Sequence, residues 1–415
     1  MNSSAAIGPA AAPPSDPPDT RQRRPHLHYL DNLRVTMILV VVLHHAVQAY
    51  GPTDWWYFRG DQQSDTLATM SAVVGAFQMS LLFFVAAYLV PGSVDRKGGW
   101  GFARGRLRRL GLPFLVGSAT IIPALTYTYY VQYRGYPPIS FGRYYLDVFL
   151  GFGPQPADWT GPIWPDLQFG HLWFIQNLLA FSLLYLACRG AAGLARRLRG
   201  HRRRSPVPAD WLTRVPGHRA LLAFTVALAV AAFLVRIRYP LDEWVPLFEF
   251  IQAEPARLVQ YTAFFTAGVL AYRHDWLTRL PRRTGYTWLA VGLALAAGLF
   301  VTGTDTAYFA PGGASLASAG WTLVEATLCV ALTVGLLTLF RDLFAGHNRL
   351  SRAMAGSSYT IYIIHLPVVV ALQFAFAHAG LPVLATFAIV AALAMVASIA
   401  AAIPIRRLPV LREIL

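Results

Sequence analysis

Residues 382–404 contain no charged side chain, and apolar blocks of about this length recur along the chain, separated by loops rich in Arg. A helix of roughly 20 residues rises about 30 Å, the thickness of a bilayer's hydrocarbon core. In that solvent every backbone N–H and C=O needs an internal partner, so only helices or closed barrels can span it. The blocks lack the period-two alternation and regular turn signals of barrel strands. The fold class is therefore all-α: a polytopic bundle of transmembrane helices. Composition agrees, because only 13% of the 415 residues are charged while 55% are apolar, against about 25% charge in a soluble domain.

Ten spans are expected, near 30–50, 67–90, 110–131, 170–188, 219–235, 257–272, 286–303, 320–340, 356–378 and 382–404. An even number puts both termini on one side. With the N-terminus cytoplasmic, only Arg59, Arg134, Arg143, Arg236, Arg238 and Arg257 of the 35 Lys and Arg fall on the outer side, as the positive-inside rule requires. One span more or fewer would put the basic runs at 104–109 and 196–204 on opposite sides, so charge supports the count independently of hydropathy. Residues 1–24, rich in Ala, Pro, Ser and Asp, cannot bury a core and read as a disordered cytoplasmic tail, without the apolar region of a signal peptide. Residues 132–169, with Pro137, Pro138, Trp159 and Trp164, read as a structured outer loop carrying an interfacial helix at 143–152. Trp55, Trp56, Trp159, Trp164 and Trp244 all fall on the outer side, where amphipathic rings favour the membrane interface.

The net charge of +15 is spread between spans instead of forming one stripe, which argues against nucleic acid and for anionic lipid heads and an anionic cosubstrate as partners. Cys188 and Cys329 lie inside apolar blocks and read as small buried hydrophobes, not as a disulfide or metal framework. An ionisable side chain within a membrane is a functional suspect by default. The spans offer Arg34, His44, His45, Glu325 and His365, with His171 at an outer boundary. Arg34 and His45 are eleven residues apart, about 16 Å of rise and roughly three full turns, so they share one helix face. His44 points about 100° away, and two adjacent, diverging histidines do not suit a metal site. Spacing alone favours a snorkelling Arg34 and a His45 that serves helix packing.

The stretch Tyr29-Leu-Asp-Asn-Leu-Arg34, followed after ten residues by His45, resembles the opening signature of the acyltransferase 3 family of bacterial membrane O-acyltransferases. Phe102-Ala-Arg104-Gly-Arg106-Leu-Arg108-Arg109 resembles the family's basic cytoplasmic motif, with Arg106 and Arg109 in its Arg-x-x-Arg slots. His171-Leu172-Trp173-Phe174 and Ser358-Tyr359-Thr360-Ile361-Tyr362-Ile363-Ile364-His365 resemble two later span motifs, and all four occur in family order across residues 28–404. The doubled His after that opening looks closest to the branch that succinylates periplasmic glucans.

The resemblance implies one transmembrane acyltransferase domain at 25–405, a cytoplasmic tail at 406–415, and a place in the bacterial inner membrane. It also implies acyl-CoA as a cytosolic cosubstrate, with no tightly bound cofactor, and an acceptor hydroxyl at the outer side, on a carbohydrate or another molecule. Arg34, Arg104, Arg106, Arg108 and Arg109 would then hold the phosphates of coenzyme A, which suit bidentate guanidinium. His45 would be the general base, since imidazole titrates near working pH. Glu325 is the candidate to orient it, and His365 or Tyr362 would donate to the oxyanion. His44, His171, Trp173, Tyr359 and Tyr362 are the candidate substrate-binding residues. No Ser or Cys sits in a nucleophile context, so direct transfer is favoured, with an acyl-His route left open. The rival reading, a proton-coupled transporter using the same Arg, His and Glu residues, calls for pseudo-symmetric halves with broken helices, and the sequence has no such repeat. The acyl group, the acceptor and the oligomeric state are not written in it.

Overall fold

Each apolar block folds as a helix in a computed structural model, which describes residues 27–51, 56–161, 163–198, 213–247, 251–304, 309–346 and 348–408. The tail expected at 1–24, Trp55, most of the basic run at 196–204 and the end of the chain lie outside the described residues. The long helices are α1 (His28–Val47), α2 (Asp65–Tyr88), α3 (Val90–Arg106), α4 (Leu112–Tyr133), α5 (Trp173–Leu198) and α6 (His218–Arg236). They continue with α7 (Pro255–Arg273), α8 (Arg282–Thr302), α9 (Leu316–Leu343), α10 (Arg349–Ala375) and α11 (Val383–Ile405).

Among the described residues nine helical segments are long and apolar enough to cross a membrane, α3 and α4 counting as one. The span expected at 257–272 is present as the 19-residue α7, but it is not one of the nine. It carries Arg257 and Gln260, and both turn inward onto α2: Gln260 donates to the Ala76 carbonyl at 2.8 Å and Arg257 to that of Gly75 at 3.3 Å. Polar groups that bond to α2 in this way lower the hydropathy of α7 while pointing into the bundle and not into lipid.

The helices form a centre and a rim. α1 packs on α2, α9, α10 and α11, while α2 also meets α7 and α9. In α2 and α9 67% of the most apolar window is buried, against 28% in α6, α8 and α11 and 11% in α5. The central helices can approach closely because their contact residues are small. At Gly268 on α7, an added Cβ would stand 2.3 Å from the Phe84 carbonyl oxygen of α2. Cys329 is buried on α9, as expected, whereas Cys188 is exposed on the rim helix α5; its block is apolar because it faces outward, not inward.

The loops carry two small elements, of which the first was not anticipated. A two-stranded antiparallel hairpin, β1 (Val245–Leu247) with β2 (Ile251–Ala253), joins α6 to α7. The short helix expected at 143–152 lies at 141–149, where one turn, Phe141–Arg143, continues as a π-helical segment, Tyr144–Phe149.

Candidate active site

α3 is kinked at Gly98, where φ is +69°, and the expected basic motif then runs into a π turn, Leu107–Gly111, between α3 and α4, where the Leu112 N–H reaches back five residues to the Leu107 carbonyl. Pro113 explains it, since it has no N–H and its ring crowds the carbonyl four residues earlier, that of Arg109. Arg104, Arg108 and Arg109 are exposed around this turn, and Arg106 is half-buried over the Phe102 ring, 5.2 Å from its centroid. Arg106 also lies within electrostatic reach of Tyr359 on α10. Arg34 on α1 bonds Asp31 at 3.1 Å and the Ala355 carbonyl of α10 at 3.1 Å. Ala355 and Tyr359 are one turn apart on a single face of α10, so two arginines distant in sequence converge there. The same face continues through Tyr362 to Leu366, about 16 Å further along the axis from Ala355.

Leu366 lines a cavity of about 430 Å³ at the opposite end of the bundle, together with His45, His171, Trp173, Trp56, Tyr57, Trp244 and polar groups that include Arg134, Gln168 and Gln252. His365 stands behind His45, with 2.7 Å between His45 Nδ1 and His365 Nε2 and the rings stacked 5.0 Å apart. On its other side His45 stacks against Trp56, 5.7 Å away. Trp56 is fixed in turn, because its indole N–H donates to Gln373 at 2.9 Å and Gln373 donates to the Ala46 carbonyl at 3.1 Å.

These contacts set the tautomers. His365 Nδ1 lies 2.6 Å from the Tyr362 carbonyl oxygen, which can only accept, so Nδ1 carries the proton and neutral His365 keeps a lone pair on Nε2. The bond between the rings must then be donated by His45 Nδ1–H. His45 Nε2 is left with its lone pair on the ring that borders the cavity, in the state a general base requires. His171 Nε2 donates to the Ile363 carbonyl at 2.9 Å, and its buried Nδ1 has no partner among the described residues.

The other expected residues divide. Trp173 stacks on Tyr261, 5.3 Å apart, and forms cavity wall with Trp244. The Tyr362 hydroxyl donates to the His171 carbonyl and His365 has both nitrogens engaged, so neither presents a free donor for an oxyanion. His44 turns away from the cavity into the α1–α2 seam, 3.3 Å from Gln48, which bonds Ser71 on α2. Glu325 is not beside His45. It pairs with Arg236 and, at 3.4 Å, with Arg257, which also bonds Glu254 at 3.1 Å. This clamp ties α6, α7 and α9 together, with Arg236, Glu254 and Glu325 buried and Arg257 half-buried. Its arginines are two of the six assigned to the outer side, so charge balance within the spans was the signal that could have paired them with Glu325.

Loop residues roof the cavity. Arg134 bonds Asp166 at 3.3 Å and lies over Trp159 and Tyr129, 4.7 and 5.1 Å from their centroids. Asp166 also accepts from Tyr144 at 2.8 Å and Gln168 at 2.6 Å. Burial pushes its carboxyl above the usual range, against the lowering by Arg134. Gln252 on β2 bonds the backbone of Leu167 and Phe169, which is how the hairpin holds the segment entering α5. The tryptophans read in sequence as interface residues thus serve the cavity: Trp56 and Trp244 as wall, Trp159 beneath Arg134.

No curated protein and no solved structure gives a match to the chain. A family model described as an acyltransferase domain, that of the acyltransferase 3 family, matches residues 27–407. That match covers every element from α1 to α11 and both clusters on the α10 face, so the chain is a multi-pass membrane protein that belongs to the acyltransferase 3 family.

Proposed function

We propose that the protein transfers an acyl group, acetyl or succinyl in size, from cytosolic acyl-CoA to a hydroxyl of a carbohydrate or similar acceptor on the outer side of a bacterial cell membrane. The observation that carries this reading is the His45–His365 pair, which leaves His45 Nε2 unprotonated at the cavity wall. The acceptor hydroxyl occupies the cavity, and its oxygen attacks the thioester carbonyl while His45 Nε2 takes the hydroxyl proton. Collapse of the tetrahedral adduct breaks the C–S bond. The leaving thiolate recovers the proton from His45, so ester and free coenzyme A thiol are the only products. While His45 is an imidazolium its Nδ1–H bond to His365 becomes charge-assisted and stronger. The proton transfer is thus stabilised where charge appears.

Arg34, Arg106 and the exposed Arg104, Arg108 and Arg109 bind the phosphates of the donor at the other end of the α10 face. A thioester arm running along that face reaches His45 without the nucleotide entering the membrane. In this reading Glu325 holds the helices in register and does not touch the substrate, and His44 has a packing role.

His45→Ala tests the base. In purified protein it should abolish acyl transfer from acetyl-CoA or succinyl-CoA, read as coenzyme A release, while the thermal unfolding midpoint stays near that of the wild type. Retained turnover would sink the assignment.

A further inference from the structure

A second cavity lies away from His45 and plays no part in the chemistry above. It is a groove of about 1320 Å³ between α6 and α7, floored by Val330, Val334 and Leu337 of α9. It runs from Arg214 and Leu280 at one end to Val235 and Pro255 at the other. Helices of 19 residues rise about 28 Å, so the groove extends along nearly a bilayer's hydrocarbon thickness. Along the neighbouring face of α6, Leu222, Val226, Val230 and Leu234 are exposed at four-residue intervals, which directs that face, and the groove beside it, toward lipid chains.

The ends of the groove differ in charge. Arg214, His218 and Arg219 stand at the end where α6 begins. All three are exposed, and among the described residues none forms an ion pair. There α6 starts at Gly217 without a side-chain cap, so its first N–H groups add positive potential. Trp276 lines the same end, an amphipathic ring of the kind favoured at headgroup depth. Apolar walls beneath a cationic rim fit an amphiphile whose head is an anion.

We propose that this groove binds one anionic diacyl phospholipid from the leaflet on the basic side, with its phosphate on Arg214 and Arg219 and its chains between α6 and α7. The bound lipid packs against α6 and α7 where no helix among the described residues covers them, so it stabilises the rim of the bundle.

The test uses full-length protein in detergent, delipidated and then supplied with phosphatidylglycerol or with phosphatidylcholine of the same chains, read by native mass spectrometry and by the unfolding midpoint. Phosphatidylglycerol should bind one per chain and raise the midpoint more than phosphatidylcholine does. Arg214→Ala with Arg219→Ala should weaken phosphatidylglycerol binding roughly 30-fold, the effect of two cations at a headgroup, and leave the response to phosphatidylcholine unchanged. Ala263→Phe, which fills the groove, should reduce binding of both. Equal responses to the two lipids, an unaltered preference in the double variant, or a second copy of the chain occupying the groove without lipid would each overturn the proposal. Acyl transfer is not measured in any arm, so the result is independent of the chemistry assigned to His45.

Discussion

His365 is held by its own backbone before it touches His45, and this order gives the pair its direction. Because Nδ1 is committed to the Tyr362 carbonyl, His365 can only accept from His45, much as a carboxylate does in a hydrolase triad. His365→Ala should therefore lower turnover about 100-fold with little change in the apparent affinity for acyl-CoA, and His365→Gln, which retains an acceptor, should recover part of the loss. A change confined to KM would mean that His365 binds substrate and does not orient the base. Glu325 calls for the opposite readout. Its carboxylate lies between the buried Arg236 and the half-buried Arg257, and removing one member of a buried ion pair costs about 3–5 kcal/mol because the remaining charge is stranded. Glu325→Gln should lower the unfolding midpoint in detergent before it affects chemistry in the molecules that remain folded. An unchanged midpoint would return Glu325 to the list of possible reacting groups.

Between helices, contact depends on a few positions with no room. Gly268 presses on the backbone of α2, and α2 in turn packs against α1, which carries His45. Gly268→Ala forces these helices apart and should cost about 1–3 kcal/mol, the usual range for overpacking, seen as a lower unfolding midpoint. A neutral effect would show that α7 can shift on α2 freely. The π turn before Pro113 is the complementary case, a place where the helix is wide on purpose. It separates the exposed Arg108 and Arg109 from the half-buried Arg106, so one short motif presents cations both to solvent and to the α10 face.

Across the whole molecule, the α10 face joins the two clusters that the proposed reaction assigns to donor binding and to base catalysis. Arg34 and Arg106 address its first turns and His45 its middle, with roughly 15 Å between them. If the arginines bind the donor's phosphates as proposed, and hold ground state and transition state equally, their loss changes KM and not kcat. Arg106→Ala with Arg109→Ala should accordingly raise the KM for acyl-CoA at least about tenfold, with turnover at saturation preserved. If saturating donor fails to restore the rate, these arginines act on the chemistry or on the fold instead.

The sequence by itself determined the helices. Runs of apolar side chains in lipid leave the backbone no alternative to internal hydrogen bonding, so α1, α2, α9, α10 and α11 stand where those runs do, and Arg34, Arg106, His45, His171 and His365 were all legible as rare polar groups within recognisable motifs. Which of them meet was not legible, because hydropathy and spacing fix a residue's height and face on its own helix but not its neighbour across the gap. The tertiary structure decided that His365 partners His45, that Glu325 belongs to Arg236 and Arg257, and that His44 faces α2. Each choice follows from how the central helices pack, since a polar group buried in a membrane protein bonds to whatever that packing brings within about 3 Å.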